Sequence, residues 1–512
     1  MEMMIPELPE PARGANFRGG LGILAGDIMA GLKRAGISAI GIVPLYGNHW
    51  IDGREISYDS RRVKPIMELI PIINDRKTSV RVLEINRGGT PVFGLRNPAF
   101  NYLYVDGRLM RLQQEAIFGN AAPMLLKALG IKPDIVWFNE SHTSVAAAAM
   151  RDDPYFDGTK MLFTIHTPDP AGMEKFSPDW FSQMGINAER YYPIFVRDGV
   201  IDFTQALMVL ADRVSPVSRE HGYITRKNFP QFSSKIVEGI RNGSDRILWL
   251  SPRIRRRKGK LDPFRLWTIH QEDKHDLLDL AKESTGVRLD PRKPLIVWVR
   301  RIVPYKSQYP MLEPIIKAIC AERDETVETP FGILQGLGMQ MFAAGIPAYG
   351  DSYCHDWVEK FYKWMEDPQL QGKFVFLLDY SFKLLRKGAA GCDVWLATPW
   401  PGWEACGTGD MRSTENGNLV LTSETGGSKE YMRGYDPKRL SGNGFFINPY
   451  DPSTLYRRLR TISDLYYAWI ESGNRRWPEL RMNVFRTGET LDIVPMIERY
   501  NDEIFRPLLR SS

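Results

Sequence analysis

The stretch DVWLATPWPGWEACGTGDMRSTENGNLVL, Asp393 to Leu421, decides the fold. Its first seven residues are an apolar run of strand composition, and a Gly-rich turn, GTGDM, leads into a helix-forming segment soon after. A strand that ends in small residues and then a helix start is the repeating unit of a parallel sheet covered by helices. The amides of Gly407, Thr408 and Gly409 can face an anion at such a helix start. A plain turn into a helix accounts for the same glycines equally well. Glu404, just ahead of the turn, offers a carboxylate able to accept sugar hydroxyls, and Arg412 and an Asn-Gly turn follow.

Working outward, seven more runs read as strands: AIGIVPL (39–45), SVRVLEI (79–85), DIVWFNE (134–140), KMLFTIH (160–166), PLIVWVR (294–300), GMQMFAAG (338–345) and KFVFLLD (373–379). Helix-length amphipathic segments separate them, the pattern of an α/β chain with parallel sheets. An irregular, charged stretch from about Glu238 to Pro291 divides the runs into two groups, and 512 residues exceed what one hydrophobic core serves. The expected organisation is an N-terminal Rossmann-like domain at 1–237 and a C-terminal one at 238–485. A helix within 486–512, TLDIVPMIERYNDEIFRPLL, would cross back to the first. Doubly wound sheets bind ligands beyond the carboxyl ends of their strands, so the motifs are expected to face an interdomain cleft.

The net charge of +6 suits anionic small molecules in a focused cleft and does not call for nucleic acid. No secretory signal and no membrane-length apolar stretch is present, which predicts a soluble, cytoplasmic protein. Cys320, Cys354, Cys392 and Cys406 are scattered without a CxxC pair, so buried thiols are expected rather than a metal site or disulfides. The basic run SPRIRRRKGKLDPFR (251–265) reads first as a solvated loop.

Two further motifs carry anion chemistry. RGGLGILAGD sets Gly19, Gly20 and Gly22 before a helix, where a ligand-free tight turn is the equal alternative. VRRIVPYKSQ places Arg300, Arg301 and Lys306 at the end of an apolar strand, where guanidinium and ammonium groups can hold a phosphate or diphosphate. His142 and His166 end strands and are candidate acid/base groups or hydroxyl ligands, although a lone histidine is more often structural. No serine or cysteine triad is evident. The inventory fits transfer of a phosphorylated or nucleotide-linked group.

Taken in order, RGGLGILAGD, PDIVWFNESH, FTIHTPDPAG, VSREHG, VRRIVPYK, DVWLATP and EACGTGDMRSTENGNLVL resemble the α-glucan (glycogen, maltodextrin) phosphorylase family, in its shorter archaeal and bacterial form. The resemblance implies the GT-B fold and retaining transfer of a glucosyl unit to or from an α-1,4-glucan. By motif, Gly19, Gly20, Arg301 and Lys306 correspond to the substrate-phosphate cradle. Tyr305, His166, Glu404 and Gly407 correspond to donor-sugar contacts, and Arg300, Thr408 and Gly409 to the clamp on the pyridoxal phosphate the family uses. The lysine that holds that cofactor as a Schiff base corresponds to Arg412, whose guanidinium is no amine nucleophile. Glu238 stands where the family commonly has an asparagine beside the donor sugar.

The expected enzyme is therefore a hexosyltransferase of glycogen-synthase type, free of covalent pyridoxal phosphate and of metal. In it Arg300, Arg301, Lys306 and Arg412 would hold the diphosphate of an NDP-sugar. A phosphorylase using pyridoxal phosphate non-covalently, or through Lys429, remains open, as does a catalytically silent glucan-binding protein. An α-glucan or oligosaccharide acceptor and, by analogy with the family, a homodimer are the partners implied.

Overall fold

The computed structural model describes residues 2–50, 52–59, 61–103, 105, 107–168, 173–257, 261–348 and 351–510. The chain forms two compact units, Met1–Asn242 with Ile493–Ser512, and Gly243–Asp492. The dividing points lie a few residues beyond 237/238 and 485/486. Val237 and Ile240 still hydrogen-bond Val214 and Pro216 of the first unit, whereas Ser244 pairs with Asp492 in the second.

The first unit holds a parallel three-stranded sheet, Arg213–Pro216, Lys160–Ile165, Ile135–Asn139 in spatial order. A four-stranded sheet runs Gly41–Pro44, Thr90–Arg96, Val80–Arg87, Lys64–Leu69. Here the expectation of all-parallel strands is corrected. The SVRVLEI run pairs antiparallel with strands on both sides, and only Gly41–Pro44 with Thr90–Arg96 is parallel. Val80 and Val82 pack into one core cluster and Leu83 and Ile85 into another, so both faces are covered, and the antiparallel pairing with Thr90–Arg96 is set by the two-residue turn that joins Arg87 to Thr90.

The terminal helix Ile493–Tyr500 belongs to this unit. Ile493, Ile497 and Tyr500 pack into the core with Leu24, Ile28 and Leu32 of the helix Gly20–Arg34. Gly31 permits that approach, since a Cβ there would lie 2.9 Å from Ile493. Among the described residues no helix is long and apolar enough to cross a membrane.

The second unit is built on a six-stranded sheet whose pairings are all parallel. Its order is Phe374–Leu377, Gln340–Ala344, Leu295–Val299, Val394–Ala397, Leu419–Ser423, Phe445–Ile447. Numbered along the sheet's own strands this is 3-2-1-4-5-6, the doubly wound order in which the chain reverses direction between strands 1 and 4. Strands 1 and 4, LIVWV and VWLA, are buried at every residue, as expected for strands covered on both faces. Trp298, Trp357 and Trp477 lie in the core around them, each buried indole contributing roughly 2–3 kcal/mol of apolar transfer.

The basic run 251–265 is only partly solvated. Arg253 is clamped by Glu272, Asp273 and Asp276 at 2.6–2.9 Å, and 258–260 lie outside the described residues. Cys320, Cys354 and Cys392 are buried free thiols and Cys406 is half-buried.

Candidate active site

In the second unit the switch between strands 1 and 4 gathers the residues that follow each of them. Arg300 leaves the end of Leu295–Val299, its amide held by the Ala344 carbonyl at 3.0 Å. Gly345 is required there, because a Cβ would lie 2.1 Å from the Arg300 carbonyl oxygen. Tyr305 and Lys306 sit on a 3-10 turn, Pro304–Lys306, closed by Ser307 in the left-handed region (φ 48°). The turn is tied to strand 4: the Trp400 amide donates to the Tyr305 carbonyl at 2.7 Å and Thr398 Oγ1 to that of Lys306 at 2.8 Å.

Arg300 Nη2 donates to Glu404 Oε2 at 2.7 Å, and Lys306 Nζ stands 3.9 Å from the same oxygen. All three side chains are largely buried. Burial alone would raise the Glu404 carboxyl, but Arg300 and then Lys306 outweigh it and keep it below its ordinary range. Burial followed by the neighbouring Arg300 pushes Lys306 down to about 7, with Glu404 only partly opposing them. Arg301 adds positive potential to both groups. Asp410 is pushed up by burial and accepts a 2.9 Å bond from Tyr431. Arg300 Nη1 is buried and has no hydrogen-bond partner among the described residues. The cluster thus carries more positive charge than its carboxylates neutralise, and a desolvated donor waits for an acceptor.

The three small residues of the GTG turn have different duties. A Cβ on Gly407 would come within 3.0 Å of Asp410, 3.4 Å of Glu404 and 3.6 Å of Arg300, so glycine keeps the charged cluster open. Gly409 is glycine for packing, since its Cβ would meet the Trp395 ring at 2.8 Å. Thr408 caps the short helix Gly409–Glu415, and its hydroxyl accepts from Arg412 Nη2 at 2.6 Å. Arg412 is almost wholly buried, its guanidinium stacked 4.3 Å from the Trp249 ring. The structure therefore groups Arg300 with Glu404 and Lys306, and gives Arg412 other partners, Thr408 and Trp249. Lys429 is exposed.

In the first unit, His166 follows Lys160–Ile165. Its Nε2 lies 2.7 Å from Asn139 Oδ1, so Nε2 carries the hydrogen and Nδ1 is left as an acceptor. Burial, then the nearby His221 and His142, pushes His166 down to about 3, which makes it a neutral hydroxyl ligand rather than a proton donor. Glu140, held in a left-handed conformation (φ 73°), fixes the turn by accepting from the amides of Ser141 and His166. His142 is engaged by Glu115 (3.3 Å) and Glu174 (3.4 Å) beside Arg111. Residues 169–172 of FTIHTPDPAG lie outside the described residues.

Gly19 precedes the helix Gly20–Arg34 in extended backbone with no side-chain cap. A Cβ on Gly19 would meet only Glu2, at 3.7 Å, so packing does not require glycine there, whereas Gly22 is closely packed against Phe17. Glu238 is exposed and 3.4 Å from Arg219.

Sequence reasoning passed over Asp410, Glu140, Trp249 and the tryptophans Trp400 and Trp403. Asp410 and Glu140 were legible as carboxylates inside the quoted motifs. Trp249, 163 residues from Arg412, gave no local signal.

The chain is similar to known proteins over nearly its whole length. Residues 17–229 match the family model Glyco_transf_5, the starch synthase catalytic domain. A maltodextrin phosphorylase of Thermococcus litoralis is 25% identical over 88% of the chain, which spans 63% of that protein's length. A glycogen synthase of Thermotoga petrophila is 24% identical over 93% of both chains. The catalytic domain of starch synthase IV from Arabidopsis thaliana, solved with ADP and acarbose, superposes with a TM-score of 0.78 at 19% identity, covering 99% of this chain and 98% of that one. The chain has the GT-B fold and is similar to glycosyltransferases that build or break α-glucans. Its relatives include both synthases and phosphorylases, so the α-glucan phosphorylase resemblance holds at the level of this wider group. The family-model match falls within the first unit, while the cation cluster lies in the second.

Proposed function

We propose that the protein is a retaining glucosyltransferase that moves a glucosyl unit from NDP-glucose to an α-1,4-glucan. The observation that carries this reading is the buried Arg300–Glu404–Lys306 cluster at the strand-order switch, with Arg300 Nη1 unpaired. Arg300, Arg301 and Lys306 supply the charge that a diphosphate needs as a leaving group, and an anion returns Lys306 to its ammonium form. Fixed donors of this kind lower a barrier by about 3 kcal/mol each. Glu404 orients Arg300 and leaves Oε1 beside Gly407 for a sugar hydroxyl. His166 Nδ1 is a further hydroxyl acceptor on the first unit, and Gly19 and Gly20 leave helix amides uncapped there.

The residues present do not fit covalent pyridoxal phosphate. By the resemblance to the phosphorylases Arg412 stands where the Schiff-base lysine would be, and its guanidinium, which is no amine nucleophile, lies on Trp249 and donates to Thr408. Support for a nucleotide donor comes from the synthase relative and from the ADP in the starch synthase structure.

A phosphorylase is the second reading, because a phosphorylase relative is as similar as the synthase, and the same cations can hold inorganic phosphate. One assay separates them: purified protein with maltoheptaose is offered ADP-glucose, UDP-glucose or GDP-glucose, and separately phosphate. Release of NDP, insensitive to EDTA, is expected. Glucose 1-phosphate formation with pyridoxal absorbance, and no NDP from any donor, would assign the phosphorylase instead.

A further inference from the structure

The turn between strand 4 and Glu404 reads Trp400-Pro401-Gly402-Trp403, two large aromatics on four residues. Both tryptophans are more than a third exposed, 38% and 39%, in a unit whose other tryptophans are buried or partly buried. They are held rather than loose. The Trp400 amide donates to Tyr305, the Trp403 amide to the Trp400 carbonyl at 3.1 Å, and the Gly402 amide to Thr425 Oγ1 at 2.8 Å. Gly402 adopts φ 83°, a conformation costly for any side-chain-bearing residue, and it sets the second indole against the first. The Trp403 ring stacks with Tyr305 (6.4 Å, 25°), and Trp400 stands edge-on to Trp403 (5.1 Å, 90°).

Exposing two indoles forgoes their burial, so an ordered pair kept open beside a reactive cluster is an unfilled contact surface. It is continuous with the proposed donor site, since Trp403 adjoins Glu404 in the chain and Tyr305 adjoins Lys306, whose Nζ lies 5.6 Å from the Tyr305 ring. A perpendicular pair cannot sandwich a flat base between parallel faces. It suits a chair pyranose, whose C–H face lies on one ring while its rim meets the other. Nor does the pair carry charge to favour an anion. We infer that Trp400 and Trp403 form a stacking subsite for a neutral glucosyl residue of the acceptor chain.

This inference rests on the glucan reading of the site but not on the identity of the donor. The test therefore uses maltoheptaose binding to the full chain by calorimetry without donor, with affinity electrophoresis in glycogen gels alongside. Trp403→Ala is expected to weaken maltoheptaose at least tenfold, and Trp400→Ala less. Trp403→Phe should fall by about three- to fivefold, less than Trp403→Ala, and nucleoside diphosphate binding should stay unchanged in all three. A thermal melt identifies any variant that misfolds, in which case Trp403→Phe against wild type decides, a fall of more than threefold being the expected result. Unchanged maltoheptaose affinity in Trp403→Ala, absence of maltoheptaose binding by the wild type, or weakened nucleotide binding with acceptor binding intact overturns the subsite. If maltoheptaose binding depends on Trp403 while no NDP-sugar turns over, the subsite stands and the donor assignment falls.

Discussion

Two carboxylates flank the same strand, Val394–Ala397. Asp393 precedes it, and Glu404 lies beyond its carboxyl end. Both are buried among two or more cations, yet their states differ. Asp393 is fully buried and accepts from Lys274 Nζ (2.7 Å), His270 Nε2 (2.8 Å) and the Leu295 amide (2.8 Å), with Arg481 at 3.7 Å. Burial is overcome there by Lys274 and His270, and the carboxyl is held far below its usual range. The network ties the helices Pro263–Thr285 and Arg476–Gly488 to the sheet. Glu404 has one short partner, Arg300, and a second cation 3.9 Å away. Charge saturated by short bonds holds the fold together, while charge left partly unmatched at the carboxyl end of a sheet is available to a ligand.

The largest expected effect tests the saturated end. Asp393→Asn leaves Lys274 and Arg481 buried without a counter-charge, and unfolding by denaturant should show a loss of ~3–5 kcal/mol. An unchanged midpoint would break the comparison. At the open end, Glu404→Gln should lower kcat by roughly 10²–10³ while stability moves by less than about 1 kcal/mol. A large stability loss instead would make Glu404 a second Asp393.

Lys306→Met sharpens the contrast through pH. The amine, pushed down to about 7, is charged below that value and neutral above it, so nucleoside diphosphate affinity should fall as pH rises through 7. Relative to the variant, wild type should bind roughly tenfold more tightly at pH 6 and lose that margin by pH 8.5, as binding titrations at both values would show. A margin that does not depend on pH removes Lys306 from the anion site. The smallest effect belongs to Arg412→Lys, which trades a stack on Trp249 for a compact ammonium and should cost about 1 kcal/mol in thermal unfolding. With pyridoxal phosphate added, the variant should gain no imine absorbance. Its appearance would show that the phosphorylase pocket survives behind the arginine.

Much of this was legible in the chain. Every apolar run contains a strand, and for the central strands of the second unit the reason is that a strand buried on both faces must be apolar at nearly every position. That Arg300, Lys306 and Glu404 end two such strands was equally readable. The antiparallel pairing of Val80–Arg87 with Thr90–Arg96 also had a local signal, the Gly88-Gly89 turn joining Arg87 to Thr90, which the reading of the apolar runs did not use, whereas its pairing with Lys64–Leu69 had none so close.

By itself the sequence determined the α/β class, the motifs and their place at strand ends, all properties set by local composition and spacing. Only the tertiary structure decided which charges meet. It paired Arg300 with Glu404 across 104 residues, and it set Arg412, three residues after the Gly407–Gly409 turn, on the Trp249 ring instead. A side chain's partner is chosen by how its helix packs on the sheet, and that packing is a property of the whole unit rather than of any stretch within it.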